Sequence, residues 1–178
     1  MIFRILSLIV LSIAFAGCLV VSKVSYHIVL KDKQSGTATV TFHNIRSDAI
    51  GNKEFEEDKR KLFKYFLTSD EFAGSLEQEG RFIKSRNLDV VDGKLTGVAE
   101  YAFNDIEKIE SIRYDGGLYY LTLQSDDEVA STNGDIISTD QYKRIIWREG
   151  VKELKFEIAS GQSQQRTRDL APFLKKTP

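Results

Sequence analysis

The dipeptide Asp92-Gly93 separates two alternating runs, Phe82 to Val91 and Lys94 to Phe103, and this arrangement constrains the fold more than any other feature of the chain. A two-residue hairpin turn of type I′ needs positive φ at both central positions, which Asp-Gly tolerates at low cost. The register set by such a turn places Val90 opposite Leu95 and Leu88 opposite Gly97. Leu88, Val90, Leu95, Ala99, Tyr101 and Phe103 then share one side, so the pairing is supported by the apolar pattern independently of the turn. The chain is therefore committed to a sheet with one buried face.

The same alternation appears earlier. Val24, Tyr26, Ile28 and Leu30 fall on one face of a strand, with Ser25, His27 and Lys31 on the other. A polar stretch ending in Gly36 leads to Ala38, Val40 and Phe42, which alternate with Thr37, Thr39, Thr41 and His43. This predicts a second hairpin with a threonine-rich outer face. Between the hairpins the period changes. Phe55, Leu62, Phe63 and Phe66 line one side of a helix beginning at Asn52 as cap, and Glu56 to Lys61 form a solvated charged back. The run Thr68-Ser69-Asp70-Glu71 fits a capping box that restarts the helix, with Phe72 and Leu76 inward and Gly80 as the stop. Asn104-Asp105 caps a short helical turn, and further strands are expected at 112–114, 118–124, 129–132, 144–147 and 154–158. Asp115-Gly116-Gly117 reads as a turn. The expected fold class is α+β: an antiparallel β-sheet with one long or broken helix packed on one face.

Composition narrows the compartment and the chemistry. The 178 residues are 42% hydrophobic and 29% charged, with 2 Pro and a formal charge of -1. These values exclude collagen, low-complexity disorder and a polytopic membrane protein, and they supply no general attraction to nucleic acid. One Cys and two His allow neither an intrachain disulfide nor a Cys/His zinc cluster. At the N-terminus, Arg4 precedes an uncharged run from Ile5 to Phe15, inside the usual length of an export-signal core. Phe15-Ala16-Gly17-Cys18 follows, and this resembles the bacterial lipobox, although Leu is commoner where Phe15 stands. The small residues let the chain lie extended in the signal peptidase cleft, and the Cys18 thiol is the nucleophile that takes a diacylglyceryl group. Two alternatives stay open. Ala14-Phe15-Ala16 also satisfies ordinary secretory cleavage, and 5–21, left uncut, approaches the length of a single N-terminal span.

The expected organisation is a lipoprotein signal peptide at 1–17, an acylated Cys18 with a short tether to 23, an envelope domain over 24–160 and a polar, basic tail over 161–178. Two or three acyl chains suffice for stable membrane attachment. In a Gram-negative cell, Leu19 after the Cys lacks the Asp that retains lipoproteins at the inner membrane, which favours the outer membrane and a periplasm-facing domain. In the tail, Leu170, Phe173 and Leu174 can dock as one helical turn limited by Pro172.

No phosphate-cradling glycine loop, dinucleotide fingerprint or His-Glu-x-x-His motif occurs, and no cofactor or catalytic residue is expected. The sharpest chemical candidate is the His27 and His43 pair. If Lys33 opposes Thr37, the two imidazoles face each other across the hairpin, as a metal-binding or hydrolytic alternative would need; if Leu30 opposes Ala38, they lie diagonally. Asp126-Asp127-Glu128 and Asp135 lack the alternating oxygen spacing of a calcium loop. Tyr114, Tyr119, Tyr120 and Trp147 are candidates for an aromatic binding surface, although alternation places Tyr119 and Tyr120 on opposite faces.

Cys18, the hairpin from Tyr26 to His43, Gly93-Lys94-Leu95-Thr96-Gly97 running into Phe103-Asn104-Asp105-Ile106, and Thr132-Asn133-Gly134 followed by Arg144-Ile145-Ile146-Trp147 together resemble the LppM-like lipoproteins. Some members of that family carry a C-terminal transmembrane helix, for which 170–176 is too short and too charged. The resemblance implies a cell-envelope lipoprotein with no catalytic residues to carry over. The functional expectation is a non-catalytic binding domain, held at a membrane through acylated Cys18, whose partner is an envelope protein, a glycan or a lipid.

Overall fold

The computed structural model describes residues 19–161 and 166–174. In chain order the strands are β1 (Leu19–Val20), β2 (Lys23–Leu30), β3 (Gly36–His43) and β4 (Arg46–Ser47), followed after the helices by β5 (Arg81–Val91) and β6 (Lys94–Phe103). They continue as β7 (Arg113–Asp115), β8 (Leu118–Gln124), β9 (Glu128–Thr132), β10 (Asp135–Ser138), β11 (Tyr142–Arg148), β12 (Glu153–Ala159) and β13 (Arg168–Asp169). Helix α1 (Asn52–Arg60) widens to π spacing over Lys61–Phe66, and α2 (Asp70–Gln78) follows.

The α+β expectation is overturned. Half of the described residues are in strands and 21% in helices, and the strands form three antiparallel sheets, so the fold is mainly β. The largest sheet runs β5-β6-β3-β2-β12-β9, the second β10-β11-β8-β7 and the third β1-β4-β13. The helix was expected to cover the sheet because its apolar stripe is strong. The structure instead brings much of the cover from the second sheet. Tyr119, Leu121, Leu123, Ile145 and Trp147 project from β8 and β11 into the same core as Phe55, Leu62, Phe66, Phe72 and Leu76 of the helices. The Trp147 and Phe156 rings meet at 5.8 Å between the sheets.

The Asp92-Gly93 hairpin has the expected register: Val90 pairs with Leu95 and Leu88 with Gly97, and both turn residues have positive φ, 51° and 74°. Gly116 and Gly117 do the same work between β7 and β8, with φ of 57° and 81°. A bulge between Ile83 and Ser85 in β5 inserts one residue before the paired run resumes. Beyond it, the Arg86 guanidinium donates to the carbonyls of Phe66 at 2.9 Å and Ser69 at 3.1 Å. Phe66 ends the π-spaced stretch, where carbonyls lose their intrahelical partners, and the Ser69 carbonyl also accepts from the Ala73 N–H at 3.3 Å.

Local corrections follow the same pattern. Gly51, not Asn52, occupies the cap position of α1, and Asn52 is its first helical residue. At α2 the cap is Ser69, whose hydroxyl accepts from the Phe72 N–H at 3.1 Å. Asp58, expected on the solvated back of α1, is buried and accepts a hydrogen bond from the buried Ser47 hydroxyl at 2.6 Å. Leu19 and Val20, expected in a tether, are buried and paired with β4 as β1. In the tail, β13 pairs with β4, Leu170 is buried, and residues 171–173 form a single 3-10 turn.

Strand β10 had no apolar alternation to announce it. It forms because Asn133 and Gly134 carry the chain from one sheet to the next. The Asn133 side chain accepts from the Lys155 N–H at 2.7 Å and the Trp147 indole N–H at 2.8 Å, and donates to the Glu153 carbonyl at 2.8 Å. A β-carbon on Gly134 would lie 2.7 Å from Trp147 Nε1 and 2.8 Å from the Ile146 carbonyl oxygen, so only glycine fits the close approach.

Candidate functional site

Strand alternation turns Tyr26, Ile28 and Leu30 of β2 inward and leaves Ser25 and His27 outward; β3 and β12 do the same with Thr39, Thr41, Lys155 and Glu157. In register these make two polar rungs across the three strands. One runs Thr41, Ser25, Glu157 and the other Thr39, His27, Lys155. Between them lies a shallow groove of about 240 Å³ lined by both rungs.

The side chains of this face hold one another. The Ser25 hydroxyl donates to Glu157 Oε2 at 2.6 Å and lies 2.7 Å from His43 Nε2, while Lys23 Nζ pairs with Glu157 Oε1 at 2.9 Å. These contacts, the Ser25 hydrogen bond first and then Lys23, hold the Glu157 carboxyl below its ordinary range. Burial, then the nearby Lys23 charge, pushes the His43 imidazole down, so it is neutral at pH 7. With the single hydroxyl proton directed at Glu157, Nε2 of His43 carries the proton that bridges to Ser25. One rung away, Glu153 Oε2 contacts Lys155 Nζ at 2.5 Å and His27 Nε2 at 3.2 Å. Lys155, and after it His27, hold the Glu153 carboxyl down.

Serine, histidine and glutamate thus meet with the hydroxyl in the middle, whereas nucleophilic activation needs the imidazole between hydroxyl and carboxylate. Strand β2 is also paired on both sides, so its N–H groups are spent on the ladders and none points outward at a developing oxyanion. What this arrangement does offer is a rigid array of hydroxyls, an imidazole, carboxylates and ammonium groups, suited to hydrogen bonding a polar ligand laid across the strands.

The two histidines do not meet. Leu30 pairs with Gly36, so His27 lies opposite Thr39 and His43 opposite Lys23, and neither register proposed from the sequence occurs. The turn decides this. The Asp32 carboxylate accepts from the Gln34 N–H at 2.8 Å and the Ser35 N–H at 2.7 Å, closing the loop over 31–35. Gly36 is required at its end because a β-carbon there would sit 2.2 Å from the Val29 carbonyl oxygen. Among the described residues no group of three or more His, Cys, Asp or Glu side chains is placed to hold a metal.

The four aromatic candidates do not form one surface. Trp147 is a core residue, 2% exposed, because β11 turns it toward Phe156. Tyr120 lies on the other face of its strand, where the Arg144 guanidinium stacks 4.9 Å from its ring. Tyr114 and Tyr119 do come together, with ring centres 4.7 Å apart. They are already engaged: Tyr114 donates to Glu149 at 2.8 Å, Lys33 pairs with Glu149 at 2.6 Å, and the Tyr119 hydroxyl donates to the Lys33 carbonyl at 3.2 Å.

A polar cluster without any local sequence signal lies on the inner face. The Tyr26 hydroxyl donates to Glu110 Oε1 at 2.5 Å, near the buried Arg81, which pairs with Glu79. Glu110 and Ser111 both take left-handed φ, 51° and 58°, to deliver that carboxylate. Burial raises its pKa, against the opposing pull of Tyr26 and Arg81. The cluster ties the connection after β6 to the sheet.

Phe15, Ala16, Gly17 and Cys18, with the rest of the signal segment, lie outside the described residues. No described helix is long and apolar enough to cross a membrane. Comparison with family models, with curated proteins and with solved structures returns no match for this chain.

Proposed function

We propose that the chain is a lipid-anchored, non-enzymatic envelope protein, exported with a cleaved signal, acylated at Cys18, and binding a polar envelope partner through the open face of its six-stranded sheet. The observation that carries this reading is the pair of polar rungs with the groove between them, an accessible array built on rigid interior strands. A hydroxyl-rich glycan suits it better than a lipid chain, since the groove offers hydrogen-bonding groups on each side. The resemblance to LppM-like lipoproteins supports the anchor and brings no catalytic residues.

The anchor is tested by intact mass of protein extracted from membranes. Loss of residues 1–17 with added acyl mass supports the reading; retention of the leader indicates a single-span protein, and a free thiol indicates a soluble exported one. A Cys18→Ser variant accumulates as unprocessed precursor if the anchor reading is correct. The binding face is tested by co-sedimentation with isolated cell-wall sacculi. Wild-type protein pellets, whereas a Ser25→Ala, His27→Ala, Lys155→Ala triple variant stays in solution. Equal pelleting of both proteins would remove the sheet face from the proposal.

A further inference from the structure

We infer that the end of the molecule around Ile50 is a membrane-docking face, with the Ile50 side chain seated in the interfacial layer of the bilayer that carries the anchor. This rests on the reading of Cys18 as acylated. Leu19 and Val20 are buried and already paired with Ser47 and Arg46, so no free tether separates the fold from the residue before them. Consecutive Cα atoms are 3.8 Å apart. An acylated Cys18 therefore brings the surface beside Leu19 against the lipid headgroups.

The antiparallel pairing decides which surface that is. Strand β4 runs opposite to β1, so its continuation, Asp48 to Gly51, passes the point where the chain enters the sheet. Ile50 lies on that continuation and is 99% exposed, while every other exposed large apolar side chain among the described residues falls between 38% and 50%. An apolar side chain held fully in water beside a lipid attachment point has an evident destination. Phe173, 44% exposed, lies edge-on to Phe55 at 5.5 Å, and Phe55 is one helical turn from Gly51.

Charge on this end is mixed: Lys53 and Arg166 are exposed and Arg46 and Arg168 half-buried, against exposed Asp48 and Glu54. Attraction to anionic lipid is thus not the main source of contact. The anchor makes docking intramolecular, and at the high effective concentration that results a single apolar wedge suffices.

The test uses full-length protein extracted from membranes and reconstituted into vesicles of equal parts phosphatidylcholine and phosphatidylglycerol. Acylation blocks the only native cysteine, so Ile50→Cys presents one reactive thiol for an environment-sensitive fluorophore. Val29→Cys is the control, 44% exposed and about 20 Å along β2 from its start. Including lipids brominated on their acyl chains should lower emission from position 50 at least about two-fold and leave position 29 unchanged. Equal, water-like emission from both positions, in a sample whose mass shows acylated Cys18, would overturn the docking face and leave the anchor standing. A mass showing unacylated Cys18 would remove the anchor, and the docking face with it.

Discussion

The two faces of the six-stranded sheet are built from alternate residues of the same strands and do opposite work. On the inner face Tyr26 stacks on Phe156 at 4.6 Å, and Ile28, Ala38, Val40 and Leu154 are almost wholly removed from water. On the outer face Ser25, Thr39, Thr41 and Glu157 remain half-exposed, and Ser25 bonds sideways to Glu157. Burial of apolar area is the larger source of stability, at roughly 25 cal/mol per Å². Lateral hydrogen bonds near water add only about 1 kcal/mol each. The inner face therefore holds the fold, and the outer face contributes little to it.

The strongest test of this contrast is Phe156→Ala, which empties the contact between Tyr26 and Trp147 and should cost about 3–5 kcal/mol in urea denaturation. Next comes Asn133→Ala. It strips partners from the Trp147 indole N–H and from the Lys155 and Glu153 backbone, and a loss of about 1–3 kcal/mol is expected in the same measurement. A smaller effect is expected from acidification, and it belongs to the outer face. The lowered pKa of His43 means that its contribution is complete above about pH 6.5 and is lost as pH falls toward the folded value. Glu157, also lowered, loses its contribution below about pH 4. Thermal melts should therefore show Tm falling from pH 7 to pH 5, and His43→Gln should flatten that interval while leaving the steeper acid limb. The smallest change is expected from Thr39→Ala, less than about 1 kcal/mol, because the residue packs against nothing in the core. An outer-face loss matching that of Phe156→Ala would break the contrast between the faces.

The two hairpins show where sequence patterns suffice. In β5 and β6 a two-residue turn allowed one register, and the apolar faces agreed with it. Between β2 and β3 the loop was longer, and several registers kept the same residues inward. The choice fell to Asp32 capping the turn and Gly36 admitting the Val29 carbonyl. That choice parted His27 from His43. The inward and outward assignment of Tyr26, Ile28, Val40 and Phe42 was legible, as was the contact of Phe72 and Leu76 with the core. The partners of Ser25 were not, since Glu157 is distant in sequence and reaches it only because β12 joins β2. Trp147 was legible as an amphipathic aromatic but not as a core residue, because its burial depends on how the second sheet turns.

By itself the sequence determined β2, β3, β5 and β6 and the buried face of each, since period-two alternation is a local property of the backbone. It also marked the hairpin at Asp92-Gly93 and the lipobox-like run ending at Cys18. Tertiary structure alone decided that a second sheet shares the core with the helices, and that Asn133 joins the two sheets. It likewise placed Ser25, His43 and Glu157 on one network and left Ile50 bare beside the first strand. These outcomes depend on which strands become neighbours, a long-range choice made by burying the whole core at once, and no local pattern encodes it.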